Sequence, residues 1–200
     1  MKAPENEISD IVLAITEAGA RRKIKDYYFF VEKKDVSSIA DMIFGRLHGR
    51  YLRPFMSGCK KCKGYKNGFA IMANCCLLIE TLVSFKNGWD DSRGKEEKAF
   101  VQFFGESKGF DGLEKLGGPF YKNVRCGILH QGETVHGWKI RRIGALFDTR
   151  TKTINANEFS RQLGNSLTDY IKELKGGEWN SEVWKRCRKK MSRIIENCKI

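Results

Sequence analysis

The chain has 200 residues, with 37 Lys and Arg against 24 Asp and Glu, so its formal net charge is +13. At 41% hydrophobic, 12% aromatic and only 3 Pro, it can bury a core, which excludes intrinsic disorder, collagen-like repeats and low complexity. The length suits a single domain, and the positive surplus points to a polyanionic partner, nucleic acid above all.

The first residues, Met1 to Glu7, lack the basic-then-apolar layout of a signal peptide. The expectation is therefore a cytoplasmic protein whose seven cysteines are reduced. Residues 5–33 place Ile8, Ile11, Val12 and Ile15 at helical spacing, with a break at Gly19. Asp35 is positioned to cap a second helix carrying Val36, Ile39, Ala40, Ile43, Phe44 and Leu47, which Leu52-Arg53-Pro54 should end. Arg46, His48, Arg50 and Arg53 gather near that end as a group able to grip phosphates.

A basic loop, Ser57 to Gly64, follows. It carries Lys60, Lys61 and Lys63 as further phosphate contacts, together with Cys59-Lys-Lys-Cys62. Two thiolates one turn apart suit zinc, but a structural site needs four ligands and no second CxxC or HxxxH pair exists. No metal and no cofactor are expected. Residues 67–85 contain a single charge, Glu80. Their Asn, Thr and Ser content is too polar for lipid, so the segment reads as a buried helix at about 67–86 rather than a membrane span. An ionised carboxylate on such a helix is costly without a partner. Glu80 therefore either lies on a narrow exposed stripe or meets a basic group on a neighbouring helix.

A shorter helix is expected near 93–104, then a Gly-rich turn at 105–118, then a helix over roughly 119–131 with Pro119 in its first turn. Residues 138–154 read as a small β-hairpin turning at Asp148-Thr-Arg-Thr151, with His136 in the preceding loop. Asn155-x-x-Glu158 caps a helix that Gly176-Gly177 stops. The last helix pairs an apolar side (Val183, Trp184, Cys187, Met191) with a basic one bearing Lys185, Arg188 and Lys189. That basic side suits RNA contact, a membrane surface or a solvated outer face. The fold class is mainly α: a helical bundle in one domain, 1–200, with one minor hairpin and a C-terminal helical pair at 155–200.

The strongest local feature is Tyr121-Lys-Asn-Val-Arg-Cys-Gly-Ile-Leu-His-Gln131, which holds Arg125-x4-His130 beside a core-facing stripe of Val124, Ile128 and Leu129. A regular helix places Arg125 and His130 about 140° apart, a gap that a long Arg side chain can narrow. This segment resembles the HEPN superfamily (higher eukaryotes and prokaryotes nucleotide-binding), all-α domains with Arg, a polar residue and then His on a late helix. The resemblance covers residues 36–131. It implies a metal-independent endoribonuclease of toxin–antitoxin or abortive-infection type, a homodimer with both motifs on a shared cleft, and an antitoxin or other regulatory partner. No membrane association is implied.

In that reading Arg125 and His130 are catalytic, with Asn123 and Cys126 supporting the motif. Cys126 replaces the usual polar residue four positions before His130, and Glu80 is expected to supply the orienting role instead. The chemistry fits: His takes the 2′-OH proton, Arg stabilises charge on phosphorus, and a 2′,3′-cyclic phosphate results. The alternative is a non-catalytic helical RNA-binding or regulatory module on the same scaffold.

Overall fold

The computed structural model describes residues 9–56 and 67–198. The architecture is mainly helical, with two small sheets. The described residues divide between two compact units, each assembled from separate stretches of chain: residues up to 50 with 84–90 and 167 onward, and residues 51–83 with 91–166.

The first unit opens with a difference from the sequence pattern. Residues 12–23 are a β-hairpin, not helix: β1 (Val12–Ile15) pairs antiparallel with β2 (Arg21–Lys23). Three β-branched residues favour the extended backbone. Gly19 at φ +83° closes the turn, where the Thr16 N–H donates to Ala20 O over 2.9 Å and the Ala20 N–H to Thr16 Oγ1 over 3.0 Å. Leu13 and Ala14, rather than Val12 and Ile15, point into the core. Helix α1 (Ile24–Lys33) follows, then α2 (Val36–Tyr51). Asp35 caps α2 as expected, its carboxylate accepting from the Ser38 N–H at 3.0 Å and the Ser38 hydroxyl at 2.6 Å.

The second unit contains the short α3 (Arg53–Met56), then most of α4 (Gly68–Asn87), and α5 (Glu96–Glu106). Helix α4 is long and apolar enough to cross a membrane by length and composition, but most of it is buried inside the protein. Next come α6 (Gly117–Phe120), a π-helical segment at Tyr121–Arg125, and α7 (Cys126–Gln131). Strands β3 (Lys139–Arg141), β4 (Phe147–Asp148) and β5 (Thr153–Asn155) form a sheet of order β3-β5-β4. The expected turn at 148–151 is present, but it joins β4 to β5, while β3 pairs with β5 in parallel. Helix α8 (Ala156–Gly176) begins in this unit and continues in the first, which also holds α9 (Glu182–Glu196).

Aromatic rings hold the second core. Phe120 lies 4.9 Å from Phe104, 5.5 Å from Phe100, 5.6 Å from Phe159 and 5.9 Å from Trp138, centroid to centroid. Each such pair adds about 0.5–1.5 kcal/mol beyond its burial. Phe120 can sit among them because α6 crosses α5 closely. A Cβ at Gly117 would come within 2.5 Å of Val101 Cα and 2.7 Å of its nitrogen. Gly117→Ala must therefore push two helices apart, and should cost about 2–3 kcal/mol in a urea unfolding curve. A change near zero would mean that the crossing yields freely.

The Asp35 cap makes a second prediction. The Ser38 hydroxyl and backbone N–H hold the Asp35 carboxyl below its ordinary value, so its contribution is present at neutral pH and drains away as pH falls through that depressed value. Asp35→Ala should lower stability by about 1 kcal/mol at neutral pH, and the difference from wild type should shrink in acid.

Candidate functional site

The site grows from one carboxylate. Glu80 faces inward from α4, 7% exposed, and it meets Arg125, which settles the alternative left open by its position on an apolar helix. Arg125 Nε donates to Glu80 Oε1 over 2.8 Å and Nη2 to Oε2 over 3.5 Å. The Ser92 hydroxyl donates to Oε2 over 3.0 Å. The Arg125 side chain is itself only 15% exposed. Burial works against its charge, but the hydrogen bond and attraction of Glu80 outweigh that and hold the guanidinium above its ordinary pKa. Engagement through Nε and Nη2 leaves Nη1 without a partner among the described residues.

The backbone under Arg125 is not regular helix. Residues 121–125 form a π turn, with the Cys126 N–H donating to Tyr121 O five residues back. Such widened turns recur at functional sites because they re-aim side chains. Here the turn brings the Tyr121 ring to 5.7 Å from the Arg125 guanidinium carbon. Burial, and a hydrogen bond with Cys126, push the Tyr121 hydroxyl up to about 12.

His130 sits in the last turn of α7, exposed, and makes no hydrogen bond or ion pair among the described residues. Glu80 does not take the orienting role toward His130 expected of it; Arg125 and Ser92 use its carboxylate. Gly132 at φ +73° then turns the chain back over the helix. The returning loop packs so close to Gly127 that a Cβ there would collide with Glu133 O.

Asn123 has a role that spacing did not reveal. Its amide nitrogen donates to Pro119 O over 2.8 Å, so its oxygen is the atom facing His136 Nδ1 at 2.8 Å. Since an amide oxygen can only accept, Nδ1 is the donor in this contact. His136 therefore has a partner thirteen residues away, beyond the reach of local spacing.

The proposed phosphate contacts fare unevenly. Arg46 donates to Leu13 O over 2.7 Å, and His48 stacks on Phe44 at 5.0 Å, so both serve the first unit's own structure. Arg50 and Arg53 are exposed. On α9, Lys185 pairs with Glu182 at 2.7 Å. Arg188 lies over Trp179 at 4.2 Å and donates to its carbonyl. Lys189 is exposed, with no partner among the described residues. Arg141 is exposed, whereas Arg142 is half-buried with its stem 3.6 Å from where a Gly68 Cβ would lie. Lys60, Lys61, Lys63, Cys59 and Cys62 lie outside the described residues.

Thiol chemistry finds no support in the buried cysteines. Burial pushes Cys75 and Cys187 up to about 12, and Cys76 well above its usual value, so these thiols stay protonated and unreactive. Among the described residues no three His, Cys, Asp or Glu side chains gather as a metal site. No protein-family model matches the chain, and comparison with characterised proteins and with solved structures returns no match.

The ion pair makes a direct prediction. Glu80→Ala strands a mostly buried guanidinium and should destabilise the protein by about 3 kcal/mol. Adding Arg125→Met should recover part of that loss in a double-mutant cycle. Purely additive effects would show that the two side chains do not depend on one another.

Proposed function

We propose that this protein is a HEPN-like, metal-independent endoribonuclease that acts as a homodimer and cuts RNA with Arg125 and His130. The observation that carries the reading is a division of labour on one helix. Arg125 is held in place by Glu80 yet keeps Nη1 for a ligand, and His130 is exposed with no hydrogen bond among the described residues. A fixed cation and an accessible base are what cleavage of a phosphodiester by its own 2′-hydroxyl requires.

In that reaction His130 takes the 2′-OH proton and the 2′-oxygen attacks phosphorus. The bond from phosphorus to the 5′-oxygen breaks, and the leaving oxygen receives a proton from the imidazolium or from water. The products are a 2′,3′-cyclic phosphate and a 5′-hydroxyl. Arg125 neutralises charge on the non-bridging oxygens as the phosphorane forms. Glu80 acts on the chemistry through Arg125, and so is a positioning residue. Leu129, 37% exposed beside His130, offers an apolar edge on which a second copy could bring its own motif to a common cleft.

The test is cleavage of labelled single-stranded RNA in EDTA, with product ends identified by mass. Wild type should yield cyclic phosphate ends, and His130→Ala should lose at least 100-fold in rate. Glu80→Gln should slow cleavage about tenfold while leaving RNA affinity and dimerisation unchanged, since the amide can still accept from Arg125 but without its charge. Binding without cleavage by the wild type would instead favour a non-catalytic module.

A further inference from the structure

The sheet of the second unit has one buried face and one open face. Strand alternation sends Trp138, Ile140 and Ile154 inward, where each is shielded. It sends Lys139 and Arg141 outward, and the pairing of Lys139 and Asp148 with Thr153 puts all of these on the same open face. An open hollow of about 630 Å³ lies there, lined by Lys139, Arg141, Asp148, Thr151, Thr153 and the exposed Ile143, while the Phe147 ring, opposite Ile154 and stacked on Trp138 at 5.4 Å, belongs to the covered face.

Three properties set this hollow apart. First, Lys139 and Arg141 make no ion pair or hydrogen bond through their side chains among the described residues. The nearby carboxylate does not neutralise them by pairing: Asp148 Oδ1 accepts from the Arg150 and Thr151 N–H groups at 3.0 and 3.1 Å, closing its own turn. Secondly, Ile143 is 77% exposed, a large apolar side chain beside two unpaired cations. Thirdly, the loop that presents Ile143 is built and held. The buried Asn155 donates through Nδ2 to Gly144 O over 2.6 Å and through its backbone to Leu146 O over 2.9 Å, while Asn157 Nδ2 holds Arg142 O at 3.0 Å.

We propose that this hollow is a nucleotide subsite for single-stranded RNA, lying outside the Arg125–His130 centre. Lys139 and Arg141 take successive phosphates, and a base lies against Ile143. The Thr151 hydroxyl donates to Thr153 Oγ1 and the Thr153 hydroxyl to Thr151 O, so their oxygens serve as acceptors for ribose hydroxyls. The cations stand two residues apart on one strand, about 6.6 Å, and so present a line of charge rather than a single anion pocket. A concave floor with hydroxyl acceptors for ribose suits a strand better than a flat lipid surface, and contact of a base with an apolar side chain is sequence-tolerant. The proposal rests on RNA being the ligand of the proposed function, and it does not require that the RNA be cut.

The experiment uses full-length His130→Ala protein, so that RNA stays intact, and a fluorescein-labelled eight-nucleotide single strand in EDTA. Binding is read by anisotropy at several salt concentrations. Lys139→Ala with Arg141→Ala should weaken binding at least tenfold and flatten the slope of log affinity against log salt by about 1.4, the value for two single-strand phosphates. Ile143→Ala should weaken binding several-fold with the slope unchanged, which a diffuse basic surface would not produce. Lys139→Arg with Arg141→Lys should bind as wild type does, and Lys172→Ala, at a cation already paired with Asp169 at 3.4 Å, should leave affinity within twofold. Uridine monophosphate should bind at least tenfold more weakly than the strand. Wild-type affinity and slope in the double alanine variant would overturn the proposal, as would equal affinity for the mononucleotide. So would a double variant that loses binding to phosphatidylserine vesicles but keeps binding to RNA. Cleavage by the wild-type chain is scored separately: a protein that never cuts but binds through Lys139, Arg141 and Ile143 keeps this site and loses the proposed reaction, and the converse result does the opposite.

Discussion

A carboxylate buried on an apolar helix must find a cation, and the second unit is organised around that requirement. Glu80 is the only charge on α4 before Lys86, and ionised and alone it would cost several kcal/mol, about 3–5 by analogy with broken buried pairs. Arg125 meets it through Nε and Nη2, and Ser92 supplies a further donor. Because the partner is a planar guanidinium rather than an ammonium, the contact fixes orientation as well as charge. The need to satisfy Glu80 thus sets the direction in which Nη1 points.

That contact constrains the helix that carries Arg125. The segment from 117 to 131 must pass α5 at Gly117 and seat Phe120 among four aromatic rings. It must also deliver Arg125 to Glu80 and receive the returning loop at Gly127. A regular 3.6-residue repeat sets these directions relative to one another once and for all. The π turn at 121–125 adds the residue that changes the phase between Phe120, the aromatic anchor, and α7. The Cys126 N–H closes that turn by donating to Tyr121 O.

The large positive charge divides into cations that build the fold and cations that do not. Arg46 satisfies the Leu13 carbonyl. Arg186 and Lys190 reach the carbonyls of Lys86 and Asp90, and Arg188 covers Trp179. Only the Lys86 carbonyl is a helix-end acceptor, left open by construction; those of Leu13, Asp90 and Trp179 lie in a strand or in loops, and these basic side chains are spent on hydrogen-bonding all four. Much of the basic face of the last helix is of this kind. Net charge therefore overstates the surface available to a polyanion, and unpaired residues such as Lys139, Arg141 and Lys189 are the better guide.

Most helices could be read from the chain because their causes are local: Asp35 and Asn155 as caps, Gly176-Gly177 as a stop, and long runs with helical spacing. Local pattern misled at 12–23, where the spacing of Ile8, Ile11, Val12 and Ile15 suggested a helix but a turn at Gly19 and β-branched neighbours made a hairpin. At 138–154 the turn was visible and the strand partners were not, because parallel pairing of β3 with β5 depends on where the intervening loop is tied down by Asn155. The candidate site divides in the same way. Arg125, His130 and the anomaly of Glu80 are all visible in one dimension, since each is unusual against its immediate neighbours. Their relation is not: a salt bridge across forty-five residues, a π turn that alters helical phase, and the tie between Asn123 and His136 exist only once distant segments are packed, because packing alone sets which donors meet which acceptors.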